Sequence, residues 1–133
     1  MTYFLDTCIC IHALKQPRSR ISARIRRTGP MSIKMPAIVV AELLLGALKS
    51  RNPAQNATVV ERFLHPFEII PFCAHSAARY ATIRAELERQ GQIIGPNDLI
   101  IAATVAANDG ILVTHNTREF QRIKQLKLRD WTT

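Results

Sequence analysis

Short β-prone runs alternate with longer helical segments from one end of this chain to the other, and that rhythm leaves few architectures open. Residues 2–5 (TYFL) read as a strand, after which Asp6 or Thr7 can cap a helix that runs through Lys15 and stops before Pro17. Residues 18–28 place Ile21 and Ile25 four apart among arginines and end at Gly29 and Pro30, a short helix with a narrow apolar stripe and a cationic outer face. A second strand is expected at 32–35, with Pro36 in the first turn of a helix reaching about Lys49. A helix at 53–64 and a strand at 67–70 follow. Residues 73–90 carry Ala77, Tyr80, Ala81, Ile83 and Leu87 at helical spacing, with Arg84 and Glu88 as an i, i+4 pair and Gly91 as the stop.

Beyond the loop 91–96, residues 97–108 are apolar nearly all round once Asp98 is passed, which marks a buried helix. Asp109-Gly110 turns the chain into a strand at 111–114, then a helical turn at 117–121 and an edge strand at 126–128. Strands separated by helices connect in parallel, so the expected fold is α/β, a three-layer α/β/α sandwich around a mostly parallel sheet. The whole chain, 1–133, is expected to form one domain, without internal repeats or a linker.

Composition narrows the function classes. With 47% hydrophobic and 21% charged residues, 133 residues suffice to bury a core without disulfides or a structural metal. The longest nearly apolar stretch, 37–48, has Glu42 in its middle and is shorter than the roughly 20 residues a membrane helix needs. The opening MTYFLDTCIC lacks the basic region and cleavage site of a signal peptide, so Asp6 is expected in the mature protein and a cytoplasmic location follows. Three cysteines, Cys8, Cys10 and Cys73, do not suggest a disulfide framework. Cys8, Cys10 and His12 lack the spacing of a zinc site and are expected to be small thiols packed into a helix.

The formal net charge of +8 is unevenly placed. Arg18, Arg20, Arg24, Arg26 and Arg27 crowd one segment, and Arg118, Arg122, Lys124 and Lys127 form a second group. Such surfaces supply the sequence-independent part of nucleic-acid binding, although an acidic protein partner would fit them equally.

Against this basic background the acids stand out. Asp6 directly follows the first strand, Asn116 lies just past the strand at 111–114, and Asp98 opens the buried helix. Ligands of parallel sheets bind beyond the carboxyl ends of the strands, so these segments can converge on one edge. Glu42 sits in a helix expected to be mostly buried, and a buried carboxylate needs a cation or a paired base beside it. Hard oxygen ligands without Cys or His suit Mg2+ or Mn2+, which activate water for phosphodiester hydrolysis without a covalent protein nucleophile. No phosphate-binding glycine loop and no G-x-S-x-G elbow is present. Of the scattered histidines His12, His65, His75 and His115, only His115, beside Asn116, has a case for more than a surface role. Trp131 is expected to dock the tail on the core.

Four spaced blocks, LDTCICIHALK, PAIVVAELLLGALKS, GPNDLIIAATVAANDG and ILVTHNTREF, together resemble a PIN domain, and more narrowly the VapC toxins of bacterial toxin–antitoxin pairs. The resemblance implies a Mg2+-dependent endoribonuclease (Mn2+ as substitute), homodimerisation and a small VapB-like antitoxin whose C-terminal segment covers the active site. It carries the catalytic and metal-binding acids onto Asp6, Asp98 and Glu42, the last directly or through water, with Thr7 as the hydroxyl beside the first acid. Many PIN domains have a fourth acid where this chain has Asn116, and Glu119 is then expected to complete the metal shell or orient its water. Cys8 stands where an asparagine is frequent. Structured RNA is the implied substrate, a tRNA anticodon stem-loop first and a ribosomal RNA loop second. A non-catalytic RNA- or partner-binding module and a DNA nuclease are the competing readings.

Overall fold

The computed structural model describes all 133 residues. Five strands, β1 (Tyr3–Leu5), β2 (Ile33–Pro36), β3 (Glu68–Ile70), β4 (Ile111–Val113) and β5 (Lys127–Arg129), form one sheet in the order β3-β2-β1-β4-β5 with every pairing parallel. The chain moves from β1 outward to β2 and β3, then crosses back to β4 and β5. Right-handed crossovers in opposite directions place their helices on opposite faces of the sheet, which gives the three layers. The first two connections carry α1 (Thr7–Lys15), α2 (Arg20–Thr28), α3 (Ala37–Leu48) and α4 (Pro53–Leu64); the return carries α5 (Ala74–Arg89) and α6 (Pro96–Ala107), with α7 (Thr117–Phe120) between β4 and β5.

The centre of the sheet is the driest part of the molecule: Phe4, Leu5, Ile33, Met35, Leu112 and Val113 are fully inaccessible. Helix α6 buries Leu99 and every residue from Ile101 to Ala106, as its all-round apolar sequence requires. Burial of this kind contributes about 1.5–3 kcal/mol for each large side chain. The return from α6 into β4 depends on Gly110, because a Cβ there would lie 2.4 Å from the Phe4 ring.

Several local expectations need correction. Pro36 closes β2 and precedes α3 instead of opening it; its extended backbone, φ −61° and ψ 139°, suits the turn from strand to helix. Helix α3 buries only Val39, Leu43 and Ala47, while Leu45 and Leu48 face outward, so an apolar sequence here does not mean a buried helix. Helix α5 turns Ser76, Ile83 and Leu87 inward and leaves Ala77 and Ala81 outside. Of the two thiols expected to pack in α1, Cys10 is buried but Cys8 is exposed. Trp131 does dock: it is buried against Tyr3, ring centroids 5.3 Å apart, with the Arg24 guanidinium 5.0 Å from its ring centre.

Candidate active site

The strand order reverses direction between β1 and β4, and parallel sheets form ligand crevices beyond their carboxyl ends at such a point. Asp6 and Thr114 emerge there. The Asp6 backbone N–H donates to Val113 O at 3.1 Å, tying the two strand ends together. As the N-cap of α1, Asp6 accepts the Ile9 N–H on Oδ1 at 2.9 Å. Only 4% of the residue is exposed. Burial pushes its pKa up; the Thr114 hydroxyl alongside it and the Ile9 amide pull it back, and the charges of Glu42 and Asp130 push it up again, leaving it raised.

Glu42 reaches the same edge from α3. Thr7, the first residue of α1, donates its hydroxyl to Glu42 Oε1 at 2.6 Å, and Asn97, in the first turn of α6, donates its amide to Oε2 at 3.2 Å. One carboxylate thus links three helices. Glu42 is half-buried, which corrects the expectation of a buried carboxylate, and its partners are neutral donors with no arginine or lysine in an ion pair. The deeply buried acid is Asp6.

Asp98 lies in the first turn of α6, where the helix dipole favours a negative charge. Its pKa is nevertheless raised to about 6, by burial first and then by repulsion from Glu119, Asp6 and Glu42. Burial is the larger cause, and the three other carboxylates add to it. Cys8 also belongs to this edge, since Asp6, Asp98 and Glu42 add to the burial that raises its thiol pKa.

Asp6, Glu42 and Asp98 are therefore gathered within electrostatic range of one another, with Glu119 in range of Asp98 and Thr7 on Glu42. Asn116 is different. It precedes α7 and its backbone N–H donates to the buried Thr114 hydroxyl at 2.9 Å, but its side chain makes no capping bond and no hydrogen bond to the acids. Sequence reasoning missed Thr114 and Asn97 as members of the site. A hydroxyl at the end of a central strand and an amide beside Asp98 were the available signals, and both residue types are too common for either to stand out alone.

Apart from the Cys8 thiol the possible ligands at this edge are oxygen, and the repulsion that raises Asp6 and Asp98 would be relieved by a divalent cation. No three His, Cys, Asp or Glu side chains are gathered tightly enough to hold an ion by themselves. The set fits Mg2+, which habitually keeps several waters and uses only one or two carboxylates. None of Arg18, Arg20, Arg24, Arg26, Arg27, Arg118, Arg122, Lys124 or Lys127 forms an ion pair, so their positive charge is not neutralised within the chain.

The PIN domain family model matches residues 3–126. Ribonuclease VapC2 of Rickettsia felis is 42% identical over 132 residues, covering 98% of both chains. The chain belongs to the VapC family of PIN-domain proteins. Another VapC relative, the tRNA(fMet)-specific endonuclease VapC of Shigella flexneri, is 37% identical across 99% of both chains. Among solved structures, the Rickettsia felis VapBC2 complex bound to a promoter DNA fragment superposes with a TM-score of 0.92 at 38% identity, covering 98% of this chain and 99% of that one. The DNA-bound VapBC of Salmonella typhimurium gives 0.93 at 34% identity and 98% coverage of each. The five-stranded parallel sheet described above is thus the PIN fold that these VapC structures share. No helix is long and apolar enough to cross a membrane.

Proposed function

We propose that this VapC-family chain is a metal-dependent endoribonuclease, the toxin of a toxin–antitoxin pair, which arrests translation by cutting structured RNA. The observation that carries this reading is the convergence of Asp6, Glu42 and Asp98 at the β1/β4 edge, with their charges left uncompensated by any basic side chain. Mg2+, or Mn2+ in its place, would be held by Asp6, Asp98 and Glu42, directly or through water, and supplies a more acidic water and charge stabilisation at the phosphate. Thr7 and Asn97 fix both Glu42 oxygens, so that carboxylate meets the site in one orientation. Glu119, close enough to raise the Asp98 pKa, stands where it can accept a proton from water entering the site, the role a neutral Asn116 side chain cannot fill.

The unpaired arginines of α2 and the basic group around Arg122 bind the phosphate backbone without reading sequence. A tRNA anticodon stem-loop is the preferred substrate, supported by the named specificity of the Shigella flexneri relative; a ribosomal RNA loop is the second choice. The partner is a VapB-like antitoxin, supported by the toxin–antitoxin complexes among the structural relatives, and the toxin acts as a homodimer in the cytoplasm.

Purified protein should cut an initiator tRNA transcript in Mg2+ or Mn2+ and leave it intact in excess chelator. Asp98→Asn should abolish cutting with an unchanged circular dichroism spectrum. Cleavage retained by that variant would remove Asp98 from the metal site.

A further inference from the structure

Just beyond the acids lies a second constellation to which no role has so far been given. His115 follows Thr114, the residue beside Asp6, and precedes Asn116. Its ring is clamped from one side: Nδ1 is 3.1 Å from Asp130 Oδ2 and 2.9 Å from Thr132 Oγ1. Thr132 in turn donates its backbone N–H to Asp130 Oδ1 at 2.9 Å and its hydroxyl to the same oxygen. Burial tends to raise the Asp130 pKa, but the Thr132 hydroxyl and amide and the His115 ring bring it below the usual carboxylate range. An ionised carboxylate only accepts, so Nδ1 carries the proton and Nε2 is the ring atom left for something else.

That atom makes no hydrogen bond within the chain, and the His115 side chain is 70% exposed. Exposed pairs of this kind add little to stability, so holding an imidazole rigid at the surface is poorly explained by folding alone. Its position is the other half of the argument. Asp130 is near enough to Asp6 to raise the pKa of that acid, which puts the clamp on the rim of the same crevice, at the ends of β4 and β5.

We propose that His115 contacts substrate at this rim, its Nε2 edge hydrogen-bonding the ribose–phosphate of a nucleotide flanking the cleaved bond, with Asp130 and Thr132 as positioning residues. The proposal rests on the ribonuclease reading of the neighbouring site. Neutral imidazole offers Nε2 as an acceptor for a ribose 2′-hydroxyl, and imidazolium offers it as a donor to a phosphate oxygen. Both belong to the same backbone unit.

The test uses a labelled anticodon stem-loop oligonucleotide of initiator tRNA, bound in chelator so that affinity is read without cleavage. His115→Ala should weaken binding about 5- to 10-fold, the loss expected for one hydrogen bond to substrate. His115→Gln, whose amide reaches the region of Nε2, should restore part of it. Asp130→Asn should weaken binding less, and all three should melt within a few degrees of the parent. In Mg2+, His115→Ala should raise KM by the same factor with kcat within about twofold. If the effect of His115→Ala vanishes on a 2′-deoxy version of the oligonucleotide, the contact is the hydroxyl; if it persists, the contact is the phosphate. Unchanged RNA affinity for His115→Ala overturns the proposal while leaving cleavage by the parent protein intact. Weakened binding by His115→Ala in a protein that does not cut RNA with Mg2+ would preserve the contact and remove the ribonuclease reading.

Discussion

Replacing Asp98 by asparagine should stabilise the metal-free protein. The folded-state pKa of about 6, against the ordinary 3.8, means that ionising Asp98 near neutral pH works against folding. A shift of this size corresponds to about 3 kcal/mol if fully expressed, and partial exposure of the carboxylate brings it to roughly 1–2 kcal/mol. Asparagine also forfeits the favourable interaction of a negative charge with the α6 dipole, on the order of 0.3–1 kcal/mol, so the net gain is about 1 kcal/mol. In a domain of this size that raises Tm by roughly 3–4 °C. The effect depends on pH in a defined direction. Because the folded-state pKa is raised, wild type is relatively most stable below about 3.8 and loses that contribution as pH rises through about 6. Thermal melts in chelator should therefore show Asp98→Asn above wild type at pH 8 and the gap closing by pH 4.5. With excess Mg2+ at pH 8 the order should reverse, since only wild type gains fully from binding. A variant that melts below wild type at pH 8 without metal would refute the crowded-carboxylate account of this site.

Thr7→Val removes the donor at 2.6 Å from Glu42 Oε1 and should lower kcat about tenfold with little change in KM or Tm, measured on an RNA oligonucleotide in Mg2+. Glu42→Gln keeps an acceptor for Thr7 and, at a half-buried position, should stay within about 1 kcal/mol of wild type in denaturant melts while losing activity. Growth arrest on expression should be relieved by a co-expressed small protein encoded beside this one, and failure of any neighbour to bind or rescue would end the toxin reading without touching the nuclease one.

Much of the architecture was legible because the signals were local. Asp6 as a helix cap, Pro53 at the start of α4, Gly91 as a helix stop and the all-round apolar α6 each state their structure in a few residues. The all-parallel sheet follows from the strand–helix alternation, and the positions of Asp6 and Asp98 from the strand and helix they adjoin. What the sequence did not reveal is which face each apolar helix turns inward. Helix α3 is among the most hydrophobic segments, yet Leu45 and Leu48 are exposed, because only one stripe of it packs inward, against α4, α1 and the sheet. That error carried over to Glu42, expected to be buried and found half-buried, with Thr7 and Asn97 on its oxygens. The electrostatic strain sits instead on Asp6 and Asp98. Contacts between residues far apart in the chain, such as Asn97 to Glu42 or His115 to Asp130, leave no periodic trace and became visible only in the folded structure.

The central claim is that the acids at the β1/β4 edge make this chain an RNA-cutting enzyme, and the most direct measurement is made in cells. The protein is expressed without its antitoxin, and the 5′ ends of all cellular RNAs are sequenced alongside those from cells expressing Asp6→Ala at the same level. The account predicts new ends concentrated at one or a few positions in structured RNA loops, foremost a tRNA anticodon loop, present with wild type and missing with Asp6→Ala. Identical end profiles for the two proteins would contradict it.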